Sequence, residues 1–172
     1  MFSIKVSKTI THINKLNDSE APINDFYKVC SEGLQNKLGC VLFQLSPGIH
    51  YSAEKLQQIT NSLNPEFKNV VEFRHANWWQ QNVYDALTEK QIIFCSVSHP
   101  TLPKAIIANT KNIYIKLHGN IEMFYSHYST AALKDIHNTI VNNSKIKEAI
   151  FYFNNTASAA GILNAQELVG MI

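Results

Sequence analysis

Short apolar runs alternate with helix-like segments along the whole chain. The apolar runs are rich in Val, Ile, Phe and Tyr, which favour β-strands. They predict six strands, at Phe2–Ser7, Cys40–Leu45, Val70–Arg74, Ile92–Val97, Ile113–Leu117 and Ala149–Phe153. Between and after them, apolar positions at helical spacing predict five helices, at Ala21–Leu34, Ala53–Leu63, Gln81–Lys90, Ser129–Asn142 and Ala157–Val169.

The connections carry local signals. Asn17-Asp18-Ser19 precedes the first helix and Ser52 the second, and short polar residues of these types cap helix N-termini. The segment from His99 to Lys111 contains two prolines, so we expect a loop there with at most a short turn.

The alternation of strands and helices predicts a parallel sheet with right-handed crossovers, in one domain over residues 1–172. An open doubly wound sheet and a barrel are the two ways to build it. The sequence has no GxGxxG phosphate loop after its first strand. Polar residues recur on one face of most strands, whereas central strands of an open sheet are apolar on both faces. The predicted fold is therefore α/β, a TIM-like (β/α) barrel.

The polar faces of the strands carry the candidate chemistry. Residues two apart share a face because side chains alternate along a strand. In a barrel one face contacts the helices and the other points into the lumen, with the active site at the C-terminal strand ends. We expect the polar side chains to line a pocket there; the alternative is a polar core that only satisfies itself. The main members of this face are Lys5, Gln44, Glu72, Arg74, Tyr114, Lys116, His118, Tyr152 and Asn154.

Composition and charge limit the function without naming it. The 172 residues are 45% hydrophobic and 16% charged, which is enough for one core. A formal net charge of +2 is too small to favour nucleic acid or an anionic membrane as a partner. No apolar stretch is long enough to span a bilayer and no signal peptide is visible, so we expect a cytoplasmic protein. Cys30, Cys40 and Cys95 are widely spaced and odd in number, which predicts reduced thiols.

Several motifs resemble those of one protein family. Val71-Glu72-Phe73-Arg74-His75, with Trp78 shortly after, resembles its fifth-strand signature, and Ile115-Lys116-Leu117-His118-Gly119 resembles a later strand motif. Thr11-His12, Phe43-Gln44-Leu45-Ser46-Pro47, Phe124-Tyr125-Ser126 with Tyr128, and Phe153-Asn154-Asn155-Thr156 also fit. On these motifs the chain is identified as a member of the YecE-like family, domain of unknown function 72, over essentially its whole length. The resemblance implies a TIM-like barrel but no particular reaction.

The chain also departs from the family pattern. Family members begin with two further β/α units, so we expect an N-terminally truncated barrel of six parallel strands. Six strands do not close an eight-stranded barrel, so the first and last strands should have exposed edges, through which we expect self-association. The missing units are either supplied by another chain or lost. Lys116 stands where the family motif has Arg, which weakens any role that needs a bidentate fork.

The inward face favours an anionic ligand over a metal ion. Glu72 is its only carboxylate and with His118 makes at most a weak two-ligand site, so neither a metal nor a cofactor is predicted. The cations Lys5, Arg74 and Lys116, with Gln44 and Asn154, can hold a phosphate or carboxylate group. Arg74 is also the chain's single arginine, which either marks a site that needs a planar fork or arises by chance.

Acid–base and aromatic candidates complete this site. Glu72 is the candidate general base, and His118 or His75 the candidate general acid. The aromatic residues Trp78, Tyr125 and Tyr128 either wall the pocket or pack against helices. Asn155 is expected to cap the helix that follows it.

Three functions follow from this reading. The first is a hydrolase or lyase acting on a small phosphorylated, sugar-like or nucleotide-like substrate, with Glu72 and Arg74 paired at the floor of a deep pocket and a perturbed pKa nearby. The second is a non-catalytic anion-binding module. The third is an inactive fragment of a full-length barrel, stabilised only by self-association.

Overall fold

The structure is a computed structural model and describes residues 1–119 and 121–172. Within them lie six β-strands: β1 (Phe2–Lys5), β2 (Leu38–Gln44), β3 (Asn69–Glu72), β4 (Ile93–Ser98), β5 (Asn112–Leu117) and β6 (Glu148–Phe153). The α-helices are α1 (Glu20–Leu34), α2 (Ala53–Ser62), α3 (Gln81–Glu89), α4 (Thr130–Val141) and α5 (Ala160–Val169). A π-helix at Thr9–Ile13 and 3-10 turns at Gln35–Lys37 and Ala76–Trp78 are additional.

Every predicted strand and helix is present, with its ends within three residues of the expected positions. The segment from His99 to Lys111 is irregular apart from isolated turns, as its prolines predict. The π-helix has no counterpart among the predicted elements, because five residues are too few for a periodic pattern.

Of the three predicted helix caps, one is confirmed. Ser52 Oγ accepts a hydrogen bond from the backbone N–H of Lys55 at 3.1 Å, at the start of α2. Ser19 occupies the N-cap position of α1, but its hydroxyl donates to the carbonyl of Asn17 instead, so its predicted cap bond is wrong. Asn155 does not cap α5, which begins only at Ala160.

The first compact unit comprises Met1–Phe94. Strands β1, β2 and β3 and the start of β4 are parallel neighbours in this order, with Gln44 opposite Glu72 and Val71 opposite Phe94. Their apolar side chains form a fully buried core with α2 and α3, including Phe43, Val70, Val71, Phe73, Ile59, Val83 and Leu87. This core fixes the strands whose C-terminal ends carry Lys5, Gln44 and Glu72.

The second compact unit comprises Cys95–Ile172. The rest of β4 pairs in parallel with β5, and β5 with β6, so that Cys95 lies opposite Tyr114 and Leu117 opposite Phe153. Ile113, Ile115 and Leu117 project from one face of β5 into a core with Tyr128 and Leu133. The predicted alternation along β5 is thus present on its apolar side. The prediction of a single domain stays a prediction.

Successive strands are parallel, hydrogen-bonded neighbours in chain order, and helices alternate with them. This arrangement confirms the predicted α/β, TIM-like fold with six parallel strands. Cys30, Cys40 and Cys95 are buried and unlinked. In the part of the chain described, no helix is both long and apolar enough to cross a membrane.

Candidate functional site

The centre of the candidate site is an ion pair at the end of β3. Arg74 Nη2 contacts Glu72 Oε1, so the pairing expected from strand alternation is present. The Glu72 side chain is 0% exposed and that of Arg74 is 12% exposed. A carboxylate this deeply buried is tolerated only when a cation or several hydrogen bonds compensate it. Arg74 is therefore the partner that compensates the buried Glu72 carboxyl group, and Glu72 in turn fixes the guanidinium.

Parallel pairing brings further polar residues to the same edge of the first unit. Lys5 is the last residue of β1 and is exposed, and Gln44 is the last residue of β2 and is half-buried. The N–H of Leu45 also donates to the carbonyl of Glu72 at 2.9 Å, which ties the end of β2 to that of β3. We call Lys5, Gln44, Glu72 and Arg74 the first-unit cluster.

His12 belongs beside this cluster, although the sequence analysis did not select it as a site residue. It lies in the π-helix that follows β1. Partial burial lowers the pKa of His12, and so do the positive charges of Lys8, Lys5 and Arg74, while Glu72 opposes them. The signal was available in the sequence, since Thr11-His12 lies in the connection that follows the first strand, on the side where barrel sites lie.

His75 lies just after the ion pair and stacks on another histidine. Its ring lies 3.9 Å from that of His50, between centroids, with 23° between the planes. Its Nδ1 accepts a hydrogen bond from the N–H of Asn77 at 3.3 Å. His50 is exposed and was missed by the sequence analysis, because no motif links it to the strand. The general-acid role of His75 stays a prediction.

Trp78 has the contacts of a packing residue. Its side chain is fully buried and stacks on Phe73 with ring centroids 4.2 Å apart. Its indole Nε1 donates to the carbonyl of Ile49 at 2.8 Å. These contacts match the packing alternative for Trp78, and none of its surface remains exposed to wall a pocket.

In the second unit, the predicted site residues of β5 are buried. Lys116 is 6% exposed and His118 is 2% exposed. The His118 ring meets the ring of His99 edge-on, with centroids 6.2 Å apart. Asn154 directly follows β6, and its N–H donates to the carbonyl of Leu117 at 2.7 Å. The binding roles of Lys116 and Asn154 and the acid role of His118 stay predictions.

Tyr128 stabilises the loop after β5. Its hydroxyl donates to Ser98 Oγ at 2.7 Å and accepts from the N–H of Gly119 at 2.9 Å, and burial raises its pKa. Gly119 has a φ of +104°, and a Cβ there would overlap the carbonyl oxygen of Glu122. Tyr128 therefore has the contacts of a packing residue, whereas Tyr125 is 58% exposed.

Two buried asparagines hold this loop against α5. Asn155 Nδ2 donates to Asn164 Oδ1 and to the carbonyl of Ser126, both at 3.0 Å. Asn164 Oδ1 also accepts from the N–H of Tyr128, and its Nδ2 donates to the Tyr128 carbonyl. This network holds Asn155 several residues before the start of α5 at Ala160, so Asn155 is not at the cap position.

Three cavities lie away from the ion pair. One of about 470 Å³ lies in the first unit between α1 and the end of α2. Two of about 330 and 320 Å³ lie in the second unit, beside α4. Of the predicted site residues, only Tyr128 lines any of the three. Among the described residues there is also no group of three or more His, Cys, Asp or Glu side chains arranged to hold a metal ion.

Parallel strands alternating with helices, and polar groups at the strand ends, define an α/β protein of the TIM-like class. Within it, the chain belongs to the family described as "Protein of unknown function DUF72", whose profile matches residues 1–172. The family membership inferred from the motifs is thereby confirmed.

Solved structures of two DUF72 family proteins are similar to this chain. For the protein TM1631 from Thermotoga maritima MSB8, the TM-score is 0.88 at 22% identity, over 99% of this chain and 72% of that one. For EF0366 from Enterococcus faecalis V583, it is 0.84 at 19% identity, over 98% of this chain and 73% of that one. Among curated proteins, none matches significantly. At these identities the structural likeness shows the fold alone.

Proposed function

We propose that the first-unit cluster binds a small anionic substrate and that the protein is a hydrolase or lyase acting on it. The substrate class is a phosphorylated, sugar-like or nucleotide-like molecule. The observation that carries the proposal is the excess of positive charge near the strand ends. Besides partial burial, the charges of Lys8, Lys5 and Arg74 lower the pKa of His12 there, and only the carboxylate of Glu72 opposes them. Preorganised cations of this kind bind phosphate and carboxylate groups and stabilise developing negative charge.

Arg74 is the central ligand in this proposal. A guanidinium has a planar fork of donors that matches phosphate oxygens, whereas an ammonium acts as a point charge. Glu72 orients the fork from the buried side, and the Arg74 side chain is still 12% exposed, which leaves it accessible to a ligand. Lys5, exposed at the end of β1, supplies a second positive charge.

The complete burial of Glu72 favours a positioning role for it over the predicted role of general base. A general base must reach the proton that it removes, directly or through one water. A side chain with no exposed surface that is already paired with Arg74 meets this requirement poorly. The same observation supports the second candidate function, a non-catalytic module that binds an anion at Arg74 and Lys5.

A ligand screen with matched variants tests the proposal. Thermal unfolding would be followed with inorganic phosphate, sugar phosphates and nucleotides at constant ionic strength, since screening by salt weakens exposed charges. We expect stabilisation of the wild type and of Lys28→Gln, a control that removes an exposed lysine of α1. Lys5→Gln and Arg74→Lys should reduce it, because the first removes a charge and the second removes the fork.

The outcome separates the two candidate functions. Turnover of a stabilising ligand, seen as a new ³¹P signal and lost in Arg74→Lys, supports the enzyme. Stabilisation without turnover of any ligand in the panel supports the binding module. Equal stabilisation of all variants and the control would exclude an anion site at this cluster.

Two further proposals concern the setting of the site. We propose self-association through the edges of β1 and β6, because in the described part of the chain each pairs with a single strand, β2 and β5 respectively. Light scattering should show a mass that rises with concentration; a monomer at all concentrations contradicts this.

We also propose a cytoplasmic location, which fits three buried, unlinked thiols.

A further inference from the structure

The segment that follows the π-helix of His12 is held in a strained conformation. After the π-helix, Lys15, Leu16 and Asp18 have positive φ angles of 52°, 65° and 44°. Non-glycine residues are disfavoured in this region, so the surrounding structure must enforce these conformations.

The restraint comes from α2. Lys55 Nζ donates to the carbonyl of Lys15 at 3.1 Å, and Gln58 Nε2 donates to the carbonyl of Leu16 at 2.8 Å. Both side chains also contact Asn17 Oδ1, at 3.2 and 3.1 Å. These four hydrogen bonds fix the segment that follows His12, and strain maintained in this way is typical of functional loops.

The protonation pattern of the His12 ring follows from its contacts. Thr11 Oγ1 lies 2.9 Å from His12 Nδ1 and donates to the carbonyl of Ser7 at 3.0 Å. A hydroxyl has one proton and a carbonyl can only accept, so both contacts are hydrogen bonds only if Nδ1 is the donor to Thr11. The neutral ring then carries its proton on Nδ1 and a lone pair on Nε2.

The charges around His12 favour its neutral form. Partial burial lowers its pKa, and so do Lys8 and Lys5 on its N-terminal side and Arg74 after β3, whereas Glu72 raises it. Among the described residues Nε2 makes no hydrogen bond, since the ring's contact with Thr11 is at Nδ1. A neutral imidazole with a lone pair at the edge of a positively charged site is equipped to accept a proton.

We propose that His12 is the general base of this site and removes a proton, at Nε2, from a water or hydroxyl group held beside the bound anion. The inference rests on the proposed anion site and assigns to His12 the role first given to Glu72. In the step, the O–H bond breaks and its electron pair stays on oxygen. The proton forms the Nε2–H bond of an imidazolium. Lys5 and Arg74 stabilise the new oxyanion, and Glu72 stabilises the imidazolium.

Thr11 is a positioning residue in this arrangement. It is buried, and by accepting from Nδ1 it directs the lone pair of the neutral ring to Nε2. Thr11→Val keeps the shape but removes the acceptor, so the Nε2–H form should gain population. Thr11→Ser keeps the hydroxyl and should restore the Nδ1–H form.

Nitrogen NMR of the histidine side chains tests the proposal on the intact protein. Long-range ¹H–¹⁵N spectra distinguish the two neutral forms, with His12 assigned from the His12→Gln variant. Sulfate serves as the probe because its charge stays constant through the titration. We expect the Nδ1–H form in the wild type, and a rise of the His12 titration midpoint when sulfate neutralises the cations. Lys5→Gln should raise the midpoint without sulfate, whereas Lys28→Gln should not.

Each other outcome has a definite meaning. An Nε2–H ring in the wild type overturns the assignment of His12. If sulfate shifts the side-chain N–H signals of Arg74 but not the His12 midpoint, the anion site stands and His12 is not its base. If sulfate leaves the Arg74 signals unchanged, the proposed function and this inference both fail.

Discussion

Replacing Arg74 by Met should destabilise the protein far more than a surface substitution does. The change leaves Glu72 with its carboxylate 0% exposed and without the guanidinium that it contacts. Removing one partner of a buried ion pair typically costs about 3–5 kcal/mol, because the remaining charge stays desolvated. The direct attraction of two unit charges, roughly 4 kcal/mol at ~4 Å and an effective dielectric constant of ~20, is of the same size.

The burial of the two partners predicts an asymmetry between single variants. Glu72→Gln leaves Arg74, whose side chain is 12% exposed and can turn toward water. It should therefore cost less than Arg74→Met, which strands the carboxylate. The double variant Glu72→Gln/Arg74→Met removes both charges and should recover most of the loss, since replacing a whole buried pair is often nearly neutral.

Urea unfolding measures these differences. Trp78 and Trp79 are the chain's two tryptophans and both lie in the first unit, so their fluorescence reports on the unit that contains the ion pair. Circular dichroism should follow the same transition, and the dependence of the free energy of unfolding on urea concentration should be the same in the variants as in the wild type. A loss below about 1 kcal/mol for Arg74→Met, or a double variant as unstable as this single one, would refute the role given to the pair.

Three further predictions concern other parts of the chain. Gly119→Ala should lower the free energy of unfolding by about 2 kcal/mol or more, because Gly119 has a positive φ and a Cβ there overlaps a carbonyl oxygen. Gly33→Ala, in open space within α1, should raise it by about 0.5–1 kcal/mol. Equal effects of the two changes on the melting temperature would contradict this. Asn164→Leu should lower the free energy of unfolding by about 3 kcal/mol or more, because the buried N–H and carbonyl of Tyr128 lose their hydrogen-bond partner. Asn138→Leu, at an exposed position, should lower it by less than about 0.5 kcal/mol, both measured by urea unfolding. The pKa of His12 is lowered on folding, so the unfolded chain binds more protons than the folded one just below pH 6.5. The free energy of unfolding should therefore fall as the pH drops through that window. His12→Gln should flatten this part of the pH profile of stability, and an unchanged slope would contradict the shift.

The order of strands and helices could be predicted from the sequence because burial imposes a period on it. A strand between helices needs an apolar face at every second residue, and a helix needs an apolar stripe at every third or fourth. The same period put Glu72 and Arg74 on one face, so their ion pair was predictable without the structure. The motif around them also identified the family correctly.

The rest of the site depends on residues that meet only after folding. No local pattern shows that the charges of Lys5 and Arg74 lower the pKa of His12. Nor does one show that Asn164 is hydrogen-bonded to the backbone of Tyr128 and to Asn155. These contacts arise from parallel pairing of strands far apart in the chain and from the way loops close over them.

The sequence by itself therefore determined the α/β fold, the family and the residues on the polar strand faces, since these follow from local periodicity and short motifs. Only the tertiary structure decided which candidate side chains are buried and which charges surround them. Trp78 and Tyr128 are buried in packing contacts, and Glu72 is buried against Arg74. His12 lies where partial burial and the charges of Lys8, Lys5 and Arg74 lower its pKa. The physical reason is that burial and the surrounding charge, which set what a side chain can do, belong to the folded arrangement and not to the order of residues along the chain.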